Sequence, residues 1–134
     1  MRVNVTGVYQ MCRAAVGPMR ERDTASIVNI SSLAAVYGLP NALHYTTSKA
    51  AVLGLTQVLA REFAPYGITV NAVGPTPIRT DLIRGVPDAA IDRLVARQAI
   101  PRLGTFADVN NVTDFFLRRE SDFVTGQCVY LGGV

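Results

Sequence analysis

Apolar residues along the chain recur in two rhythms, one helical and one strand-like. Over residues 2–19, Val3, Val8, Met11, Cys12, Ala15 and Met19 supply an apolar stripe at helical spacing. Val3-Asn4-Val5-Thr6-Gly7, at its start, are poor helix formers, so the stretch is read as entering from a longer helix or loop upstream. A polar turn over 21–25 leads into an Ile- and Val-rich run, 26–31, which predicts a short, largely buried strand. Asn29 within it is assigned to backbone or loop hydrogen bonds. Tyr37-Gly38-Leu39-Pro40-Asn41 has strong turn chemistry. A long helix follows over about 42–64, with Ala50, Ala51, Val52, Leu55, Val58, Leu59 and Phe63 facing neighbours, and Pro65 and Gly67 stop it.

Ile-Thr-Val-Asn-Ala-Val, 68–73, is the next strand. Helix, glycine, then strand is the rhythm of a parallel sheet with right-handed crossovers. After the proline-containing turn 74–80, residues 81–103 read as an insertion with an amphipathic helix near 89–96. Its Ile91, Leu94 and Val95 are compatible with either core or pocket. Thr105 is a plausible N-cap for a helix over 107–117, with Asp108 placed to suit the helix dipole. The segment 123–133 closes the chain with a turn and a last strand. The pattern is that of one α/β domain over 1–134, holding about three strands with flanking helices, and no internal repeat or linker interrupts it.

Composition narrows the class. Of the 134 residues, 49% are hydrophobic and 17% charged, which argues for a globular chain and against disorder. The net charge of +3 comes from scattered arginines with no basic stripe, giving nucleic-acid binding little support. Cys12 and Cys128 have no metal-type spacing, so free thiols in a reducing cytoplasm are the expectation, with no metal site. No signal pattern opens the chain and no apolar run approaches membrane-spanning length. A soluble cytoplasmic protein without a membrane partner is expected.

The candidate chemistry lies in 27–49, Ile-Val-Asn-Ile-Ser-Ser through Tyr-Thr-Thr-Ser-Lys. Tyr45 and Lys49 stand at i and i+4 near a helix start and share one face. Ser32 sits at the end of the preceding strand, where an α/β sheet places its reactive edge. A Tyr-x-x-x-Lys spacing alone arises by chance in many helices. Lys49, however, is the only lysine among thirteen basic residues. Arginine fills every other basic position, which marks a site needing a compact ammonium. A serine, a tyrosine and a lysine so grouped can polarise a carbonyl and hand it a proton.

This stretch resembles the active-site segment of the short-chain dehydrogenase/reductase family, NAD(P)-dependent oxidoreductases on a Rossmann-type doubly wound parallel sheet. The broad group containing 3-oxoacyl-acyl-carrier-protein reductases is the nearest likeness. The similarity runs from Met1 to Val134. It implies Tyr45 as general acid or base, Ser32 as holder of the substrate oxygen, and Lys49 as support for Tyr45 and grip on the nicotinamide ribose. An unperturbed phenol titrates near pH ~10, and a neighbouring ammonium favours its ionised form. Val3-Asn4-Val5-Thr6-Gly7 resembles the family's helix whose asparagine holds a water in the proton relay, which assigns Asn4 to that role. Read from the residues alone, Asn4 is a solvated or capping polar group. Gly74 to Thr80 resembles the segment that wraps the nicotinamide, giving Pro75, Ile78 and Thr80 as cofactor contacts along with Tyr45 and Lys49. Thr76 stands where the family usually has glycine. Residues 81–103 correspond to the region that closes over substrate. The implied substrate is a small carbonyl or secondary alcohol, and the implied assembly is a homo-oligomer.

The likeness covers only the C-terminal half of that fold. The glycine-rich strand–helix turn that holds a pyrophosphate is absent from this sequence, as is the residue that chooses NAD or NADP. The first strand is therefore expected to leave an apolar edge open. Three readings follow. Met1 is a truncated or misplaced start of an ordinary enzyme; or the chain is a non-catalytic paralogue that docks on full-length relatives through its long helices and last strand; or it is a remnant that does not fold alone.

Overall fold

The computed structural model describes residues 1–133. Its three strands, Ala25–Ile30 (β1), Ile68–Gly74 (β2) and Cys128–Tyr130 (β3), lie parallel in one open sheet ordered β1-β2-β3. Val8–Met19 (α1), Ala34–Tyr37 (α2), Leu43–Phe63 (α3), Asp88–Val95 (α4) and Phe106–Leu117 (α5) connect and flank them. The expected helix near the N-terminus is present, but its first six residues, Arg2–Gly7, wind as a wider π-helix before α1 begins. That wide turn falls on the weak helix formers, where the local sequence favours tight α-helical winding least.

Every residue of β2 is buried, which fits its apolar Ile-Thr-Val-Asn-Ala-Val sequence and its place between two strands. Asn71 within it uses both ends of its amide. It donates to the Val124 carbonyl at 2.7 Å and accepts from the Gln127 amide at 3.0 Å, so it holds the closing segment against the sheet. The main core joins Cys12 of α1, Leu59, Ala60 and Phe63 of α3, and Ile68 and Val70 of β2. Each large apolar side chain buried there contributes about 1.5–3 kcal/mol.

Three expectations are corrected. β1 is not largely buried: Asn29 alone is, while Ile30 is 46% exposed. The strand lies at the sheet edge, and among the described residues no strand pairs with its outer side. The apolar stripes also turn differently. Val3 and Met11 face solvent, as do Ala50 and Val58 of α3. The buried row of α3 is Ser48, Val52, Thr56, Leu59, Ala60 and Phe63, because Ser48 and Thr56 point inward to hydrogen-bond partners. Finally, Asn29 makes side-chain bonds rather than backbone ones, donating to Thr56 Oγ1 at 3.0 Å and accepting from Cys12 Sγ at 3.5 Å.

Of the stretch 81–103, Ile91 is buried in α4, whereas Leu94 and Val95 are half-covered. Thr105 caps α5 as expected, in a reciprocal box with Asp108. No helix among the described residues is long and apolar enough to cross a membrane.

Candidate active site

The carboxyl ends of β1 and β2 and the first turns of α3 meet on one side of the sheet. Ser31 ties them. Its amide donates to the Val73 carbonyl at 2.7 Å and its hydroxyl to the Lys49 carbonyl at 2.9 Å. Ser32, the next residue, is half-buried and accepts the Ala34 amide on its Oγ at 3.2 Å, which fixes that oxygen while its own proton stays available as a donor.

Tyr45 and Lys49 rise from the same face of α3, with the Lys49 ammonium 6.0 Å from the centre of the Tyr45 ring. Lys49 Nζ also donates to the Ile30 carbonyl at 2.9 Å, so the ammonium is stitched to the last residue of β1. Partial burial lowers the Lys49 pKa below the usual lysine value. Asn4 reaches the same helix from the π-turn, its amide donating to Ser48 Oγ at 3.0 Å. Ser48 in turn donates to the Tyr45 carbonyl at 2.7 Å. Asn4 is thus joined to α3 through the residue between Tyr45 and Lys49 in the turn, and not by a direct bond to the ammonium.

Pro75, Ile78 and Thr80 lie on the loop that leaves β2. The Pro75 carbonyl accepts the Leu33 amide at 3.0 Å, which brings this loop beside Ser32. Ile78 makes an isolated parallel bridge with Gly104, and Thr80 precedes the 3-10 turn Asp81–Ile83. All three are half-buried. Thr76 is buried, with its hydroxyl donating to Gln98 Oε1. A cavity of about 210 Å³ lies beyond it, lined by Thr76, Gln98, Ile100, Arg102, Gly104 and others. Of loop 74–80 only Thr76 lines it, so Ser32, Tyr45 and Lys49 form a half-buried ledge apart from that cavity.

Comparison with known proteins gives a family match over residues 1–133, to a short-chain family described as enoyl-(acyl carrier protein) reductase. The chain belongs to the short-chain dehydrogenase/reductase family. It is 38% identical over 131 residues to the 3alpha-hydroxysteroid dehydrogenase of Mediterraneibacter gnavus, covering 98% of this chain and 52% of that protein. The crystal structure of 3-oxoacyl-[acyl-carrier protein] reductase from Brucella melitensis superposes with a TM-score of 0.88 at 39% identity, covering 98% of this chain and 50% of that one. NAD+-bound xylitol dehydrogenase matches with a TM-score of 0.87 at 28% identity, over 98% of this chain and 57% of that one. ElxO with NADP bound matches with a TM-score of 0.83 at 33% identity, over 96% and 53%. The chain spans about half the length of the curated relatives it matches.

The short-chain dehydrogenase/reductase motif directs attention to Ser32, Tyr45 and Lys49, but it passes over the residues that hold them. Ser31 looks like a redundant neighbour of Ser32, yet its side chain is the one that bonds across to α3. Ser48 reads as a solvated helix serine, although it is 1% exposed. Tyr37, placed in a loop by the sequence, shares its one hydroxyl proton between the carbonyls of Gly133 at 3.1 Å and Arg97 at 3.3 Å. Its only sequence signal is an aromatic at a turn, which has no fixed meaning.

Proposed function

We propose that this chain supplies the catalytic and nicotinamide-side residues of an NAD(P)-dependent oxidoreductase that interconverts a secondary alcohol and a ketone. The observation that carries the reading is the seam between β1 and α3, where Lys49 Nζ bonds the Ile30 carbonyl and Ser31 bonds the Lys49 carbonyl. That seam sets Ser32 beside the helix face bearing Tyr45 and Lys49.

The donor chemistry of this ledge fits the nicotinamide end of a dinucleotide. An ammonium has three N–H donors, and among the described residues Lys49 spends one of them on Ile30. Lys49 would hold ribose hydroxyls, and Pro75, Ile78 and Thr80 would contact the nicotinamide end. No glycine-rich turn for a pyrophosphate occurs in this sequence, so the fit concerns the nicotinamide end only. When bound, the cofactor supplies or accepts the hydride.

The side chains handle the proton. In reduction, Tyr45 gives its hydroxyl proton to the carbonyl oxygen, and in oxidation its phenolate takes that proton back. Ser32, with its Oγ already held by the Ala34 amide, donates to the substrate oxygen as negative charge gathers there. Lys49 supports Tyr45 from the same helix face, its ammonium 6.0 Å from the centre of that ring. Asn4 belongs to the proton relay behind Lys49, and it holds the turn through Ser48. The choice of NAD or NADP is left to the half of the fold that relatives have in addition. A homo-oligomer of the complete enzyme and a cytoplasmic location belong to the same proposal.

The roles separate in a chimera that places the glycine-rich half of the hydroxysteroid dehydrogenase ahead of residues 1–134. Ser32→Ala is expected to lower kcat by about 10²–10³ with cofactor affinity unchanged. Lys49→Met is expected to lower kcat and weaken cofactor binding together. If Lys49→Met left cofactor binding intact, its role as a ribose grip would be lost. A second reading, a non-catalytic partner for full-length relatives, draws on the open outer edge of β1 and on Phe123, which is 98% exposed.

A further inference from the structure

Residues 81–97 leave the cofactor-side loop at Thr80 and return to it at Gln98. They are largely exposed, with Ile91 the one buried side chain of α4. The return point is different in character. Gln98 is 5% exposed and Thr76 is 7% exposed, and the Thr76 hydroxyl donates to the Gln98 side-chain carbonyl. Gln98 Nε2 donates onward to the Arg102 carbonyl at 3.4 Å, so both ends of its amide are used. Two glycines make room for this arrangement. A Cβ on Gly104 would stand 2.7 Å from Thr76 Cγ2, and one on Gly132 (φ +86°) would overlap the Gln98 amide. The Gly104 amide meanwhile donates to the Pro77 carbonyl at 3.0 Å.

From this geometry we propose that Thr76 and Gln98 form a clasp that makes the cofactor-side loop, 74–80, and the substrate-side segment, 81–97, move as one unit. Gln98 is then a positioning residue for both. The inference rests on the functional reading for what the two segments do, but not for their coupling. Three observations support it. The contact closes a loop of 22 residues, so its loss releases a long stretch of chain. It is buried on both sides, so breaking it strands a polar group out of water. It also depends on a hydroxyl at position 76, which a glycine, the residue the family resemblance places there, cannot provide. The other ties of this region, Ile100 to the Gly132 carbonyl at 2.9 Å and Tyr37 to the Arg97 carbonyl, run to the closing turn and the α2 side. Those two do not reach the cofactor-side loop, which is tied to the chain beyond Gln98 by the Gly104 amide on the Pro77 carbonyl and the bridge between Ile78 and Gly104. The Thr76–Gln98 contact is the tie at the end of the segment itself. In a complete enzyme the clasp would transmit occupancy of one segment to the other.

Amide hydrogen exchange on the chimera carrying residues 1–134 reads the coupling without any turnover, so a failure here is distinct from a failure of the catalytic assignment. Two amides report: Gly104, bonded to the cofactor-side loop, and Ala96, bonded to the Asp92 carbonyl at the end of α4. Thr76→Val and Gln98→Leu are each expected to speed exchange at both by at least about tenfold. The double variant should do no more than either single one, and Thr76→Ser should behave as the parent. Ala72, bonded to the Gln127 carbonyl within the sheet, is expected to stay unchanged. Faster exchange at Gly104 with Ala96 unmoved, additive effects, or no change at either amide would each overturn the clasp. Should Gln98→Leu fail to fold, the Val and Ser variants at Thr76 decide the matter.

Discussion

Asn29 shows how one polar residue holds the site side of the sheet to the helix layers. It sits in β1 with Cys12 of α1 on one side and Thr56 of α3 on the other, and it bonds both. Burial raises the Cys12 thiol pKa above the ordinary cysteine value, so the thiol stays protonated and acts as a donor. Thr56→Val keeps the shape and removes the hydroxyl, leaving the Asn29 amide without its partner. A loss of about 1–3 kcal/mol of stability is expected, read as a lower urea midpoint with an unchanged m-value. Little of this was legible beforehand. An asparagine in an apolar strand is visible in sequence, but its partners lie 17 and 27 positions away, and nothing local names them. Tyr45 and Lys49, by contrast, are four residues apart on one helix, and there spacing alone fixes their common face.

At the scale of elements, α5 carries its own fastening. Thr105 Oγ1 accepts the Asp108 amide at 3.2 Å and Asp108 accepts the Thr105 amide at 2.7 Å, while Arg102 forks onto both Asp108 oxygens at 2.8 Å. The Arg102 guanidinium, followed by the Thr105 hydroxyl and amide, holds the Asp108 carboxyl well below the usual carboxylate range. A carboxyl depressed in the folded state adds stability above its unfolded pKa, near 4, and loses it as pH falls further. Thermal unfolding of the parent is therefore expected to shift to lower temperature as pH drops below about 4. Asp108→Asn should lower Tm at neutral pH and flatten that acid limb. An unchanged acid limb would remove Asp108 from this role. The cap was readable because Thr-x-x-Asp is a local signal. The inward face of α3 was not, because apolar residues surround that helix and its buried row includes Ser48 and Thr56. Tertiary hydrogen bonds chose the face.

At the largest scale, a three-stranded parallel sheet carries the proposed reactive edge, and among the described residues no strand pairs with the outer side of β1. The parallel sense follows from the alternation of strand, helix and strand, which the sequence displays, whereas the order β1-β2-β3 is seen only in the structure. The exposure of β1 follows from what lies beside it, and Ile- and Val-rich composition alone pointed to a buried strand. The relatives this chain matches are about twice as long, and under the proposed function the ledge of Ser32, Tyr45 and Lys49 would be the part of the chemistry that these residues hold.

The measurement that bears most directly on this account is ketone-dependent oxidation of reduced nicotinamide cofactor by the chimera, with Tyr45 and with Tyr45→Phe. The account predicts turnover in the first, loss of at least about 10²-fold in the second, and equal cofactor affinity in both. Equal turnover in the two proteins would contradict it, and so would a chimera that folds and binds cofactor yet never turns over. The second of those results would leave the ledge without a catalytic role.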